Sequence, residues 1–95
     1  MHAVVNGLQF KADVDPSVFA DVDDLVAQMR AIEGFAGLHV IQTSPAEVTL
    51  VIVAADPATL ERLAVEVGSP WMVANVVPLL AGPPDRRVGP VLASS

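Results

Sequence analysis

The sequence predicts an α+β domain with the element order βαββαβ, a four-stranded antiparallel sheet carrying its helices on one face. Three observations lead there. Asp15-Pro16 and Asp56-Pro57 each place a capping side chain ahead of a proline and open a run of apolar residues at helical spacing. Between those helices lie two strand-like runs joined by the turn-forming segment Thr43-Ser44-Pro45-Ala46-Glu47, which reads as a hairpin. A strand-like run also precedes the first helix, and another follows the second.

Taken in order, Met1 to Phe10 alternates loosely, with His2, Val4, Asn6, Leu8 and Phe10 on one face, and forms the first strand. Asn6-Gly7 inside it predicts a bulge, a hairpin turn being the alternative. From Pro16 a single helix is expected through Val18, Phe19, Val22, Leu25, Val26, Met29 and Ile32, with Gly34 at its left-handed end. Gly37 to Thr43 and Glu47 to Ala54 are the hairpin arms. The second arm, Val48-Thr49-Leu50-Val51-Ile52-Val53, is apolar on both sides, as a strand covered on both faces would be. Leu60, Leu63, Ala64 and Val67 mark a second helix stopping at Gly68, and Ser69-Pro70 restarts the chain as a short third helix that Pro78 ends. Arg86 to Ala93 is the last strand, which Pro90 confines to an edge or a bulge.

Right-handed crossovers put both helices on the same side of such a sheet, the ferredoxin-like arrangement. The opposite face is then bare, and the third strand presents it with Val51 and Val53 or with Leu50 and Ile52, too apolar to leave in water. Two sheets packed face to face would hide both, so a homodimer closed as an α+β barrel is expected. Composition agrees: 53% of the 95 residues are apolar and 17% charged, more apolar surface than one small domain needs, and residues 1–95 form a single domain.

A net charge of −6 opposes binding to nucleic acid or an anionic membrane. With no cysteine there is no disulfide, thiolate nucleophile or cysteine metal site. Residues 1–10 lack a cationic stretch ahead of an apolar run, and the uncharged stretch Val67 to Pro84 is interrupted by Gly68, Pro70, Asn75, Pro78 and Gly82, so a cytoplasmic protein is expected.

Two segments resemble a known family. Glu33-Gly34-Phe35-Ala36-Gly37-Leu38-His39-Val40-Ile41-Gln42-Thr43 resembles the E-G-F-x-G-φ-x-φ-x-Q-T segment between first helix and second strand of antibiotic-biosynthesis-monooxygenase-like domains, which are dimeric α+β barrels. Ser69-Pro70-Trp71-Met72-Val73-Ala74-Asn75 is similar to that family's S-x-F-x-x-x-H segment, with Trp71 at the aromatic position. The resemblance covers Met1 to about Gly82, and Asn6 falls where haem-degrading members carry a pocket asparagine. In those members the last residue of the second segment is the histidine that ligates iron; here it is Asn75, a poor iron ligand, so the resemblance implies the fold without haem degradation. Its quinone-forming branch implies a cofactor-free oxygenation assisted by pocket asparagine, tryptophan, tyrosine and histidine side chains, and this chain has no tyrosine.

The candidate site residues are Asn6, Trp71 and Asn75, with His39 as a further ligand-binding candidate; no metal and no cofactor is expected. Asn6 either bonds a substrate oxygen or serves bulge chemistry with Gly7. Trp71 is a pocket wall or core, and Asn75, one turn beyond it, is a pocket amide or a helix-terminal cap. His39 is the internal candidate for proton transfer, or an ordinary strand histidine. Asp21, Asp23 and Asp24 read as a solvated helix face, lacking the glycine and distal glutamate of a calcium loop. Ser44 and Ser69 lack a nucleophile elbow, and Arg86-Arg87 could neutralise an acidic substrate or pair across the dimer. Two functions remain open: a cofactor-independent monooxygenase acting on a small aromatic, polyketide-like molecule, and a non-catalytic dimeric barrel that binds a small apolar ligand or serves as an assembly module.

Overall fold

In a computed structural model, which describes residues 1–94, the chain folds as β1 (His2–Gln9), α1 (Val22–Arg30), β2 (Phe35–Ser44), β3 (Glu47–Ala54), α2 (Pro57–Leu63), α3 (Ser69–Asn75) and β4 (Asp85–Pro90). The strands form one sheet in the order β2-β3-β1-β4, every pair antiparallel. This is the expected α+β, ferredoxin-like architecture, with β4 at an edge and Pro90 at its end.

Two of the three proline-marked starts behave as local chemistry dictates. The Asp15 carboxylate accepts from the Ser17 backbone N–H at 3.0 Å, and that of Asp56 from the Thr59 N–H at 2.8 Å. The ladder of backbone bonds then departs from expectation in two places. The first helix is broken: Pro16–Phe19 forms a short 3-10 turn, the chain jogs at Ala20-Asp21, and α1 starts afresh at Val22. The second does not stop at Gly68, whose φ of −64° is helical. Instead Ala64–Gly68 widens into a π turn, in which the Ser69 N–H donates to the Ala64 carbonyl, and the helix continues into α3 with Ser69 making no side-chain cap. A 3-10 turn over Val77–Leu79 contains Pro78 and ends the helical segment.

Gly34 does take the left-handed region, with φ of +98°. Its Cα faces α2 so closely that a Cβ would stand 2.8 Å from the Thr59 Oγ1, so glycine is required twice over. No bulge forms at Gly7, because β1 is hydrogen-bonded on both sides in unbroken register from His2 to Gln9 against β3. The irregularities lie instead in edge strand β2, between Phe35 and Gly37 and between Gln42 and Ser44.

Alternation along the strands divides the apolar residues between two faces. Val4, Leu8, Val48, Leu50, Ile52 and Ala54 are buried against the helices, where Leu25, Met29, Leu60 and Leu63 meet them. Val5, Ile41, Val51 and Val53 point the other way, and no helix covers them; Val5 keeps 40% and Ile41 48% of its surface exposed. No helix among the described residues is long and apolar enough to cross a membrane.

Candidate functional site

Between the helices and the inner face of the sheet lies a cavity of about 320 Å³. Its floor is strand: Val4 and Asn6 of β1, Leu50 and Ile52 of β3, Leu38 and Val40 of β2. Its roof comes from α1, the π turn and α3, and the lining is overwhelmingly apolar, as small-molecule sites usually are.

Asn6 stands on the floor because it alternates in phase with Val4 and Leu8. No side-chain hydrogen bond within the described residues engages its amide, so both its donor and its acceptor are available. Beside it, β4 pairs Arg86 directly with Asn6, and Arg86, an exposed residue, also lines the cavity. Directly opposed side chains of antiparallel strands stand about 5 Å apart at Cβ, so an amide and a cation share one end of an otherwise oily space. Arg86 takes part in neither ion pair of the described residues, which are Arg62 with Glu66 and Arg87 with Asp85.

Trp71 forms the opposite wall. Half-buried, it packs against the buried core on the Leu25–Met29 side and on the Leu50–Val76 side, and its indole N–H donates to the Asp21 carboxylate at 3.3 and 3.4 Å. The Phe19 ring lies 6.0 Å from it, tilted by 33°. Sequence position and cavity thus bring Asn6 and Trp71 together across the same space.

Two other candidates lie elsewhere. Asn75 does share Trp71's side of α3, but its amide folds back and donates to the Trp71 carbonyl at 3.0 Å; it does not line the cavity. The terminal-cap reading is the one this geometry matches. His39 pairs with Val51 and therefore projects from the uncovered face of the sheet, exposed, with the whole sheet between it and the cavity. Strand alternation forces this once Leu38 and Val40 face the helices. The sequence offered Arg86-Arg87 for neutralising an acidic substrate or pairing across a dimer but did not put Arg86 beside Asn6; the register of the last strand against the first was the signal it lacked.

The carboxyls of Asp15 and Asp56 are more acidic than an ordinary aspartate; both are helix caps outside the cavity, held down by the backbone N–H bonds of Ser17 and Thr59 and by the side-chain bonds of the same two residues. Among the described residues no group of three or more histidine, aspartate or glutamate side chains is placed to hold a metal ion. The cavity can therefore bind and orient a flat molecule, desolvate it, and stabilise negative charge on an oxygen at its Asn6 end.

A small α+β domain with one such cavity defines a class of fold, and solved structures of that class are similar to this chain throughout. SnoaB from Streptomyces nogalater, a cofactor-independent oxygenase, matches with a TM-score of 0.74 at 14% identity, covering 98% of this chain and 94% of its own. An antibiotic biosynthesis monooxygenase matches at 0.76 and 14%, covering 98% and 100%. Rv0793 of Mycobacterium tuberculosis matches at 0.68 and 20%, covering 99% and 97%. No family model and no curated protein sequence matches the chain. In fold, then, the chain is similar to SnoaB and to the solved antibiotic biosynthesis monooxygenase along its whole length.

Proposed function

We propose that this domain is a cofactor-independent oxygenase for a small, flat phenolic molecule, working as a homodimer. The observation that carries the reading is the pairing of Asn6 with Arg86 at one end of an apolar cavity of about 320 Å³. Rings of the substrate fill the oily part, the Arg86 guanidinium favours the phenolate over the phenol, and the Asn6 amide donates to the same or a neighbouring oxygen. The phenolate delocalises electrons to the ring carbon that reacts with dioxygen. A CH₂ group becomes C=O, one oxygen atom entering the product and the other leaving as water, with the substrate supplying all the electrons. The named activity of SnoaB, a cofactor-independent oxygenase, supports this reaction class.

The dimer follows from the uncovered face. Packing Val5, Ile41, Val51 and Val53 against the same residues of a second copy removes from water a patch that a helical layer does not reach. One observation favours a second reading, a binding protein without catalysis: among the described residues Arg86 is the only ionisable side chain lining the cavity, and none of those lining it is a general base. Oxygen uptake with an anthrone separates the two. Uptake above the spontaneous rate, lost in Arg86→Ala and lowered in Asn6→Ala, supports the oxygenase; saturable binding with uptake at the spontaneous rate replaces it with the binding reading. The Asn6→Ala change should cost about 1–3 kcal/mol in affinity or barrier while leaving thermal stability nearly unchanged.

A further inference from the structure

The start of α1 is built unusually. Asp21 occupies the N-cap position, where an aspartate normally accepts a bond from the first turn, yet its side chain makes no capping bond. Its carboxylate reaches across 50 residues of sequence to the indole N–H of Trp71. The break in the helix at Ala20-Asp21 is what permits this: Phe19, just before the break, stacks near the indole, and Asp21, at the break, bonds its N–H. Trp71 is thus held by ring and by edge from one short stretch of backbone.

The other side of the contact explains why such a hold is needed. α3 itself contains no fully buried residue and follows the π turn; its C-terminal end is anchored by the buried Val76 and by Met72, while its start faces the α1 side of the cavity. Asn75 spends its amide inside α3, on the Trp71 carbonyl, and so ties α3 to nothing else. Among the described residues Trp71 carries the side-chain hydrogen bond between α3 and the start of α1.

We propose that Asp21 is a positioning residue: by holding the Trp71 indole against the α1 side, it keeps the cavity wall formed before a ligand enters. It touches neither ligand nor reacting atoms. The inference rests on the cavity being the binding site, and it makes the binding of flat aromatic ligands depend on an exposed carboxylate outside the lining. A wall preformed in this way spares the ligand the cost of ordering it.

The test uses the full chain, with acrylamide quenching of Trp71, the sole tryptophan, and equilibrium dialysis of 1,8-dihydroxyanthraquinone. Asp21→Ser puts a favoured N-cap residue where Asp21 makes no capping bond but cannot reach the indole, so any loss is not a loss of helix initiation. Expected are easier quenching, a red-shifted emission and about tenfold weaker anthraquinone binding, the worth of one hydrogen bond. Asp21→Asn, which retains an acceptor oxygen, should restore most of both. In a Trp71→Phe background, which has no N–H to hold, Asp21→Ser should have no further effect on binding. Unchanged quenching and binding in Asp21→Ser, or fully additive losses in the double variant, overturn the proposal. If wild type binds no anthraquinone while Asp21→Ser still unmasks Trp71, the cavity reading fails and the hold on Trp71 stands. Circular dichroism of each variant confirms folding, and Asp21→Asn keeps the test open should Asp21→Ser not fold.

Discussion

The two faces of the sheet are made from nearly the same residues and meet different surroundings. On β3, Leu50 and Ile52 are buried beneath helices while their neighbours Val51 and Val53, no less apolar, are only half-covered by the chain itself. On β1, Val4 is buried and Val5 is 40% exposed. What separates the faces is therefore not the hydrophobicity of the strands but where the crossover connections deposit the helices. The inner face completes itself within one chain and leaves room for a cavity; the outer face has nothing in the chain to complete it.

The largest expected effect sets the faces against each other. Leu50→Asp puts an unpaired carboxylate under the helices and should cost about 4 kcal/mol or more, leaving no cooperative thermal transition at room temperature. Val51→Asp, one residue away, should leave the far-ultraviolet circular dichroism intact and shift light scattering to a monomer of 9.9 kDa. A wild-type chain already monomeric at micromolar concentration would break the comparison at its outer half.

A smaller effect tests how the helical layer is seated on the inner face. Gly34→Ala forces a side chain into φ of +98° and against Thr59, so a loss of about 1–3 kcal/mol is expected in urea unfolding. The companion change Thr59→Ala removes the clash but not the backbone strain, and should recover only part of that loss when combined with it.

The smallest effect lies at the outer ends of the helices. The carboxyls of Asp15 and Asp56 are held below the ordinary value of 3.8 by backbone N–H bonds, so each is more acidic in the folded chain than in the unfolded one. Stability from these caps is accordingly present in full at neutral pH, begins to fall as pH drops through the unfolded value near 4, and is gone below the folded one. Asp56→Ala should lower the melting temperature by a few degrees at pH 7 and by less at pH 3. An equal loss at both pH values would mean the cap acts through something other than its charge.

Much of the fold was legible because it rests on short-range chemistry. Asp15-Pro16 and Asp56-Pro57 act as caps within three residues of themselves, and the glycine at Gly34 was recognisable as a left-handed position from the helix before it. Ser69-Pro70 has the same local signature and misled, since the π turn carries the helix straight through it. Asn6-Gly7 misled in the opposite direction: turn chemistry at one dipeptide is outweighed by ladder bonds to two neighbouring strands, which no local reading of β1 contains. The arrangement of the candidate site residues was legible only in part. Asn6 and Trp71 were singled out as residues of the right type, but their meeting across a cavity, the turning of Asn75 onto its own helix and the removal of His39 to the far face are consequences of packing and register.

By itself the sequence determined the element order, the helix starts at Asp15 and Asp56, the left-handed glycine, and an apolar content greater than one helical layer can bury, because each depends on residue type and near-neighbour spacing alone. Tertiary structure alone decided that Leu50 rather than Val51 faces the helices, that Arg86 stands beside Asn6, and that Asp21 holds Trp71. A strand of period two is indifferent to which of its faces is turned inward, and contacts between residues 50 or 80 positions apart exist only once the sheet has chosen its register.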